Sequence, residues 1–241
     1  MSLLVLMYHR ARAGRHGNSV EMLDAHFAHI AAHHPTALPG DKLTEGHLNV
    51  TLSFDDGYFD FYAHVFPLLV KHNLRALLAI PPAFIREKVE TTAGERLKLE
   101  IDEAFAQPER GGFCTWRELE ELTASGRVVM AAHGLTHQRL DRPGVDLADE
   151  IEAPRTTLTT HLAKPTSFVF PFGRFSRRAL QRARQSYPFV FRIGGALNCN
   201  WNGRLLYRVD ADEMASPSAV FAPARLTRYR VRRWWNRLRL Q

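Results

Sequence analysis

The sequence predicts an α/β fold of parallel strands joined by crossover helices. Three observations carry that reading. Short apolar, β-rich runs recur along the chain, amphipathic stretches separate them, and the chemically distinctive residues fall just after the runs, where parallel strands deliver functional groups. With 241 residues and 45% hydrophobic content, the chain can bury a sizeable core without disulfide staples.

The first run, 3–8, is followed by an amphipathic stretch at 20–34, and the second, 50–54, by one at 59–72. Further strands are expected at 75–80, 128–132, 167–170, 189–193 and 205–209. Thr115, with Glu118 three residues on, has the form of a capping box and opens a helix over 115–125. A second helix over 146–162 contains Pro154, which should kink or divide it. Residues 81–112, bounded by Pro-Pro and Gly-Gly pairs, form a long stretch of mixed charge and weak periodicity, read as a substrate lid or a mobile insertion.

The formal net charge of +7 is unevenly placed. Arg225, Arg228, Arg230, Arg232, Arg233, Arg237 and Arg239 lie within 221–241, and removing these seven from the 32 basic residues leaves 25 against 25 acidic ones. The chain therefore divides into a neutral domain, 1–220, and a basic, Trp-containing tail, 221–241. At 100° per residue, Val231, Trp234, Trp235 and Leu238 share one arc of about 100° and all the tail arginines fall outside it. Such a helix suits an anionic membrane surface. The competing readings are that the Trp pair packs back on the domain, or that the tail is solvated or disordered. Nucleic-acid binding through the same arginines is disfavoured, because a neutral body offers no continuous basic groove.

Cys114 and Cys199 match no metal or redox spacing and read as reduced thiols. The N-terminal apolar run is too short for a signal-peptide core, and no stretch approaches the roughly eighteen apolar residues of a membrane span. The expectation is a cytoplasmic protein, at most peripheral to the inner face of the membrane.

Three motifs carry chemistry. Ser53-Phe54-Asp55-Asp56-Gly57 ends an apolar strand with two carboxylates and a turn glycine. His133-Gly134-Leu135-Thr136-His137 follows another strand, with two imidazoles four residues apart, a spacing that one helical turn would bring to one side. Pro171-Phe172-Gly173 ends a third strand in a rigid turn. Together they make a two-His, one-carboxylate metal site with open positions for water and substrate, leaving the second carboxylate free to act as a base.

In order and approximate spacing these motifs resemble the first three of the polysaccharide deacetylases, the NodB-homology family. The resemblance implies an α/β fold of a particular kind, a distorted (β/α)7 barrel. It also implies a metal held by Asp56, His133 and His137, Asp55 as general base, and the Phe172 amide, beside Pro171, facing a developing oxyanion. The ion would be Zn2+ first, with Co2+, Ni2+ or Mn2+ as alternatives. Leu6-Met7-Tyr8-His9 is similar to the opening of the exopolysaccharide-type subgroup, which makes His9 the candidate general acid. The chain departs from the common family pattern at Val169, where an arginine often stands, at Gly134, where a serine or threonine does, and in having Leu205-Leu206-Tyr207-Arg208-Val209 in place of a late Leu-x-His. Arg208 is then a candidate for orienting the acid or binding substrate. The implied reaction is removal of an N-acyl group, acetyl before formyl, from an amino sugar. A sugar nucleotide or lipid-linked glycan of lipopolysaccharide or O-antigen assembly would be the substrate of a cytoplasmic enzyme; a non-catalytic carbohydrate-binding relative is the alternative.

Overall fold

The computed structural model describes residues 2–203 and 205–238, with only the backbone of 237 and 238. Its strands are β1 (Ser2–Tyr8), β2 (Leu48–Phe54), β3 (Ala76–Ile80), β4 (Val128–Ala132), β5 (Ser167–Val169), β6 (Phe189–Ile193) and β7 (Leu206–Asp210). Each pairs in parallel with the next and β7 closes on β1, so the expected (β/α)7 barrel is what forms. Parallel pairing forces a crossover between successive strands. The helices that coat the barrel are α1 (Val20–His33), α2 (Phe66–Lys71), α3 (Ala93–Lys98), α4 (Ile101–Ala106), α5 (Trp116–Ala124), α6 (Leu147–Ile151), α7 (Ala153–His161), α8 (Arg177–Ser186) and α9 (Pro223–Leu238).

Strand alternation sorts the core into two layers. Leu3, Val5, Leu77, Ala79, Ala131, Val169, Phe191 and Leu206 fill the barrel interior. Their neighbours Leu4, Leu6, Leu78, Ala132, Phe168, Val190 and Tyr207 face outward onto helix residues such as Phe27, Leu119 and Ala183. The same period carries His9, Asp55, His133 and Arg208 to the interior side at or near the carboxyl ends of β1, β2, β4 and β7.

Local chemistry explains the helix boundaries. Thr115 and Glu118 close the expected capping box on α5. The helical stretch over 146–162 is divided, as Pro154 led us to expect, into α6 and α7 at Glu152, two residues before that proline. Ahead of α2 the chain makes a π-helical turn, Phe61–Val65, where Pro67 has no N–H to offer the preceding turn.

Residues 81–112 are folded rather than a loose insertion. They carry α3 and α4, and Arg96 anchors them: its guanidinium pairs in two-pronged fashion with Glu118 at 2.7 and 2.8 Å and donates to the carbonyls of Gly111 and Phe113. Every prong of that buried cation is thereby engaged, which is the condition for a buried charge to hold structure.

The terminal segment is also part of the coat. In α9, Tyr229 is buried in the outer core layer, its carbonyl accepts from Leu197 N–H at 3.2 Å, and Asn236 donates to the Gly194 carbonyl. The segment that begins just past residue 220 is thus bonded to the connection between β6 and β7. The Trp pair does not pack back: Trp234 and Trp235 are 69% and 60% exposed. The side chains of Arg237 and Leu238, and all of Arg239, lie outside the described residues. Among the described residues no helix is long and apolar enough to cross a membrane.

Candidate active site

Two left-handed residues in succession, Asp56 (φ 69°) and Gly57 (φ 73°), turn the chain sharply at the end of β2. A side chain at 57 would place its Cβ 2.6 Å from Ile80 Cγ2, so glycine is required there on two counts. Asparate at 56 tolerates the left-handed region better than most residues. The turn leaves Asp55 and Asp56 buried and adjacent at the barrel mouth.

The His133–His137 pair converges differently from expectation. The residues after β4 form a loop and not a helical turn, with Gly134 (φ 74°) and His137 (φ 55°) both left-handed. Glu150 of α6, itself buried, clamps this loop by accepting from Leu135 N–H at 3.0 Å, from Thr136 N–H at 3.1 Å and from the Thr136 hydroxyl. A Cβ at 134 would lie 2.7 Å from the Glu150 carboxylate, which explains glycine at that position.

Asp56, His133 and His137 bring one ligand atom each to within 4.8 Å of one another. Nε2 of His133 and of His137 lie 3.6 and 3.3 Å from Asp56 Oδ1. The chemistry of this set fits a divalent ion. Asp56 Oδ1 is buried without a hydrogen-bond partner, a costly state that a cation would relieve. His133 Nδ1 donates to the Val169 carbonyl at 2.8 Å, which leaves Nε2 as the lone-pair side. Burial lowers the pKa of both imidazoles to about 4, keeping them neutral and able to ligate near pH 7. Burial also raises that of Asp56, which an adjacent cation would counter.

Asp55 stands beside this set, its Oδ2 3.8 Å from His133 Nε2 and 3.8 Å from His9 Nε2. Arg208 holds it through bonds of 2.6 and 2.8 Å and also reaches Ser53 Oγ at 3.1 Å. Burial pushes the Asp55 pKa up, but the charges of Arg208, His133 and His9 outweigh it and hold the carboxyl well below the usual carboxylate range. Arg208 is wholly buried, and the carboxylate it meets is Asp55, not the His9 acid it was expected to orient. It also supplies, from β7, a guanidinium to a site where position 169 offers only valine.

His9 follows β1 and is oriented by Asp212, which accepts from its Nδ1 at 2.6 Å and from its backbone N–H at 3.1 Å. Burial lowers its pKa, but the Asp212 bond and the charges of Asp55, Asp212 and Asp56 prevail and raise it to about 9. His16 lies near enough for His9, His16 and Asp212 to form a second ligand-like group, but the short His9–Asp212 bond already engages the imidazole as a donor. Pro171 is buried and Phe172, left-handed at φ 56°, packs its ring 4.7 Å from that of His137. Phe105 of α4 stacks on the same imidazole, 4.9 Å between centroids. Asp212, Glu150 and Phe105 are the contributors that sequence reasoning did not single out. The position of Asp212, two residues beyond β7, was the available signal.

Over residues 43–187 the chain matches the polysaccharide deacetylase family. The chain belongs to that family. It is 36% identical over 84 residues to a poly-β-1,6-N-acetyl-D-glucosamine N-deacetylase of Escherichia coli (strain K12), a stretch covering 35% of this chain and 11% of that protein. It therefore spans only a small part of this curated relative. Among solved structures it is similar to a de-N-acetylase from Aggregatibacter actinomycetemcomitans, with TM-score 0.68 and 20% identity over 89% of this chain and 97% of the other. It is similar also to IcaB from Ammonifex degensii, with TM-score 0.69 and 20% identity over 97% and 96% of the two chains. At such identities the likeness is one of fold, the NodB-type barrel. Membership of the polysaccharide deacetylases bears out the resemblance read from the motifs, and the exopolysaccharide-type subgroup accords with these relatives.

Proposed function

We propose that the protein is a metal-dependent hydrolase that removes an N-acyl group, acetyl before formyl, from an amino sugar of a cell-surface glycan. One observation carries this: Asp55 lies at 3.8 Å from both the His133 imidazole of the ligand set and the His9 imidazole, between a metal site and a proton donor. A bound divalent ion, zinc first, held by Asp56, His133 and His137, would supply Lewis-acid polarisation for amide hydrolysis. Asp55, kept ionised by Arg208, accepts the proton of the attacking water. The Phe172 amide donates to the oxyanion as it develops. His9, protonated and aligned by Asp212, gives its proton to the leaving amine nitrogen, without which an amine departs poorly. Phe105 and Phe172 wall the His137 side with apolar surface suited to a sugar face.

The name of the Escherichia coli relative favours a β-1,6-linked N-acetylglucosamine polymer. Sugar nucleotides and lipid-linked precursors of lipopolysaccharide or O-antigen are the other acceptable carriers of the same acylated sugar. Metal-loaded protein and an Asp55→Asn variant, incubated with each class in N-acetyl and N-formyl form, would be compared for acid release by mass spectrometry. Turnover of one class by the parent and not by the variant is expected; no release from any class would overturn the reading.

A second feature supports docking on an anionic membrane. Opposite buried Tyr229, α9 turns Val231, Trp234 and Trp235 outward, among the exposed arginines 225, 228, 230 and 232. Indoles at headgroup depth flanked by arginines would bring the enzyme to a lipid-linked substrate, each arginine near the surface adding roughly 1 kcal/mol.

A further inference from the structure

The connection from β6 to β7 carries no helix among the described residues, and the outer face of these strands borders a cavity of about 920 Å3 between α8, the loop before β7 and α9. Arg174, Arg177, Arg184, Arg192 and Arg233 line it. Asp141, the carboxylate among its lining residues, is already held by Arg139 at 2.8 and 3.0 Å. Among the described residues, Arg174, Arg184, Arg192 and Arg233 form no ion pair with a carboxylate, and Arg174 feels Asp141 only at longer range.

Guanidinium groups gathered in a concavity repel one another, and the low-dielectric wall sharpens that repulsion. Arg192 shows the strain most directly. It is half-buried, its Nε bonds to the Ile193 carbonyl at 2.8 Å, and its Cζ lies 5.2 Å from the Phe175 ring centroid. Its two terminal nitrogens make no hydrogen bond within the described protein. Burial lowers its pKa, against an opposing effect of Tyr207, and the charge of Arg174 adds to the fall. An arrangement of this kind is completed by a compact dianion, and the planar arginine fork matches phosphate oxygens two at a time. Gln181, Asn200 and Asn202 add amides suited to sugar or nucleotide hydroxyls at the same wall.

One backbone turn links the cavity to the active site. Gly173 lines it, while the preceding residue, Phe172, packs on the ligand-set imidazole of His137. We propose that this cavity binds the phosphate or diphosphate ester of the glycan substrate, placing the attached acylated sugar across the Pro171-Phe172-Gly173 turn at the metal site. The binding half of the proposal stands on the cavity alone, and the placement half rests on the deacetylase reading. A phosphate-bearing glycan is thereby favoured over a neutral polymer.

Calorimetric titration of the full-length, metal-loaded protein with inorganic pyrophosphate tests the binding half. Saturable binding is expected that weakens with salt and falls roughly tenfold or more in Arg174→Gln/Arg184→Gln, as loss of charged hydrogen bonds implies. Both side chains are exposed, so folding is not at risk. The control Arg225→Gln/Arg228→Gln, on α9 away from the cavity, should bind as the parent does. His133→Ala should too, which separates the cavity from capture by the metal. No binding by the parent, undiminished binding in the Arg174/Arg184 variant, or loss confined to His133→Ala would overturn the proposal. Repeating the titration with a nucleoside diphosphate and with farnesyl diphosphate tells the source apart: the tighter one names the carrier, and equal affinity places recognition in the diphosphate alone. Acetate release from any substrate reports separately on the deacetylase reading, so the two can fail independently.

Discussion

Arg208 grips Asp55 through both carboxylate oxygens, at 2.6 and 2.8 Å, with both side chains sealed from solvent. Removing one partner of such a pair leaves a buried charge uncompensated, which typically costs about 3–5 kcal/mol. Arg208→Ala should therefore lower the unfolding free energy by that order in denaturant melts. In whatever fraction stays folded, the Asp55 pKa should rise, so that the acid limb of the rate profile moves to higher pH. A variant of parental stability with an unchanged profile would show that Arg208 does not tune Asp55.

The dyad of His9 and Asp212 predicts a pH dependence of definite sign. A general acid must be protonated, and the His9 pKa is raised to about 9, so turnover should hold below that value and decline above it. His9→Ala should cut turnover by about 10² or more with metal content intact, and should remove the alkaline decline. Because the folded pKa exceeds the unfolded one, His9 also stabilises the fold fully below about pH 6.5, an effect that fades as pH rises through about 9.

Metal analysis separates the ligands from the base. His133→Ala and His137→Ala should each lose most of the bound ion and the activity, whereas Asp55→Asn should keep the ion and lose turnover. Acid should strip the ion as pH falls toward about 4, where the two imidazoles take up protons. Full occupancy in His133→Ala would sink the assignment.

Gly134→Ala puts a side chain at φ 74° and against the Glu150 carboxylate, so it should act on His137 through the loop. A loss of about 1–3 kcal/mol in stability and weaker metal retention are expected, read by thermal melts with and without chelator. Glu150→Gln, which keeps the shape but loses the charge and half the acceptors, should show a milder version of the same loss.

The outward indoles of α9 predict flotation with anionic vesicles at low salt and not with zwitterionic ones. Trp234→Ala/Trp235→Ala should abolish it without unfolding the protein, since both rings are mostly exposed. If parent and variant both stay at the bottom with anionic lipid, the membrane reading fails.

The candidate constellation could be assembled from the sequence because its members obey simple periodicities. His9, Asp55 and His133 each follow an apolar run, and strand alternation carries them to one side of a closed barrel. What was not legible depends on non-local partners. Arg208 could be placed on the last strand, but its grip on Asp55 spans 153 residues and exists only once β7 has closed on β1. Glu150 acts on backbone amides, which carry no sequence signature. The helix α8 escaped notice because its buried positions, Ala179 and Ala183, are too small to mark an apolar stripe among four arginines. Helical spacing suggested the right pairing of His133 with His137 through the wrong local structure.

The stacking of Phe105 on His137 ties two things that might otherwise vary separately. The 81–112 segment lies outside the strand scaffold, so it can be exchanged without altering a barrel strand. Yet one of its rings stacks on His137, a candidate metal ligand. Exchange of this segment between relatives, undertaken to change which sugar is accepted, would therefore alter how firmly the ion is retained, and grafts should be selected for both properties at once.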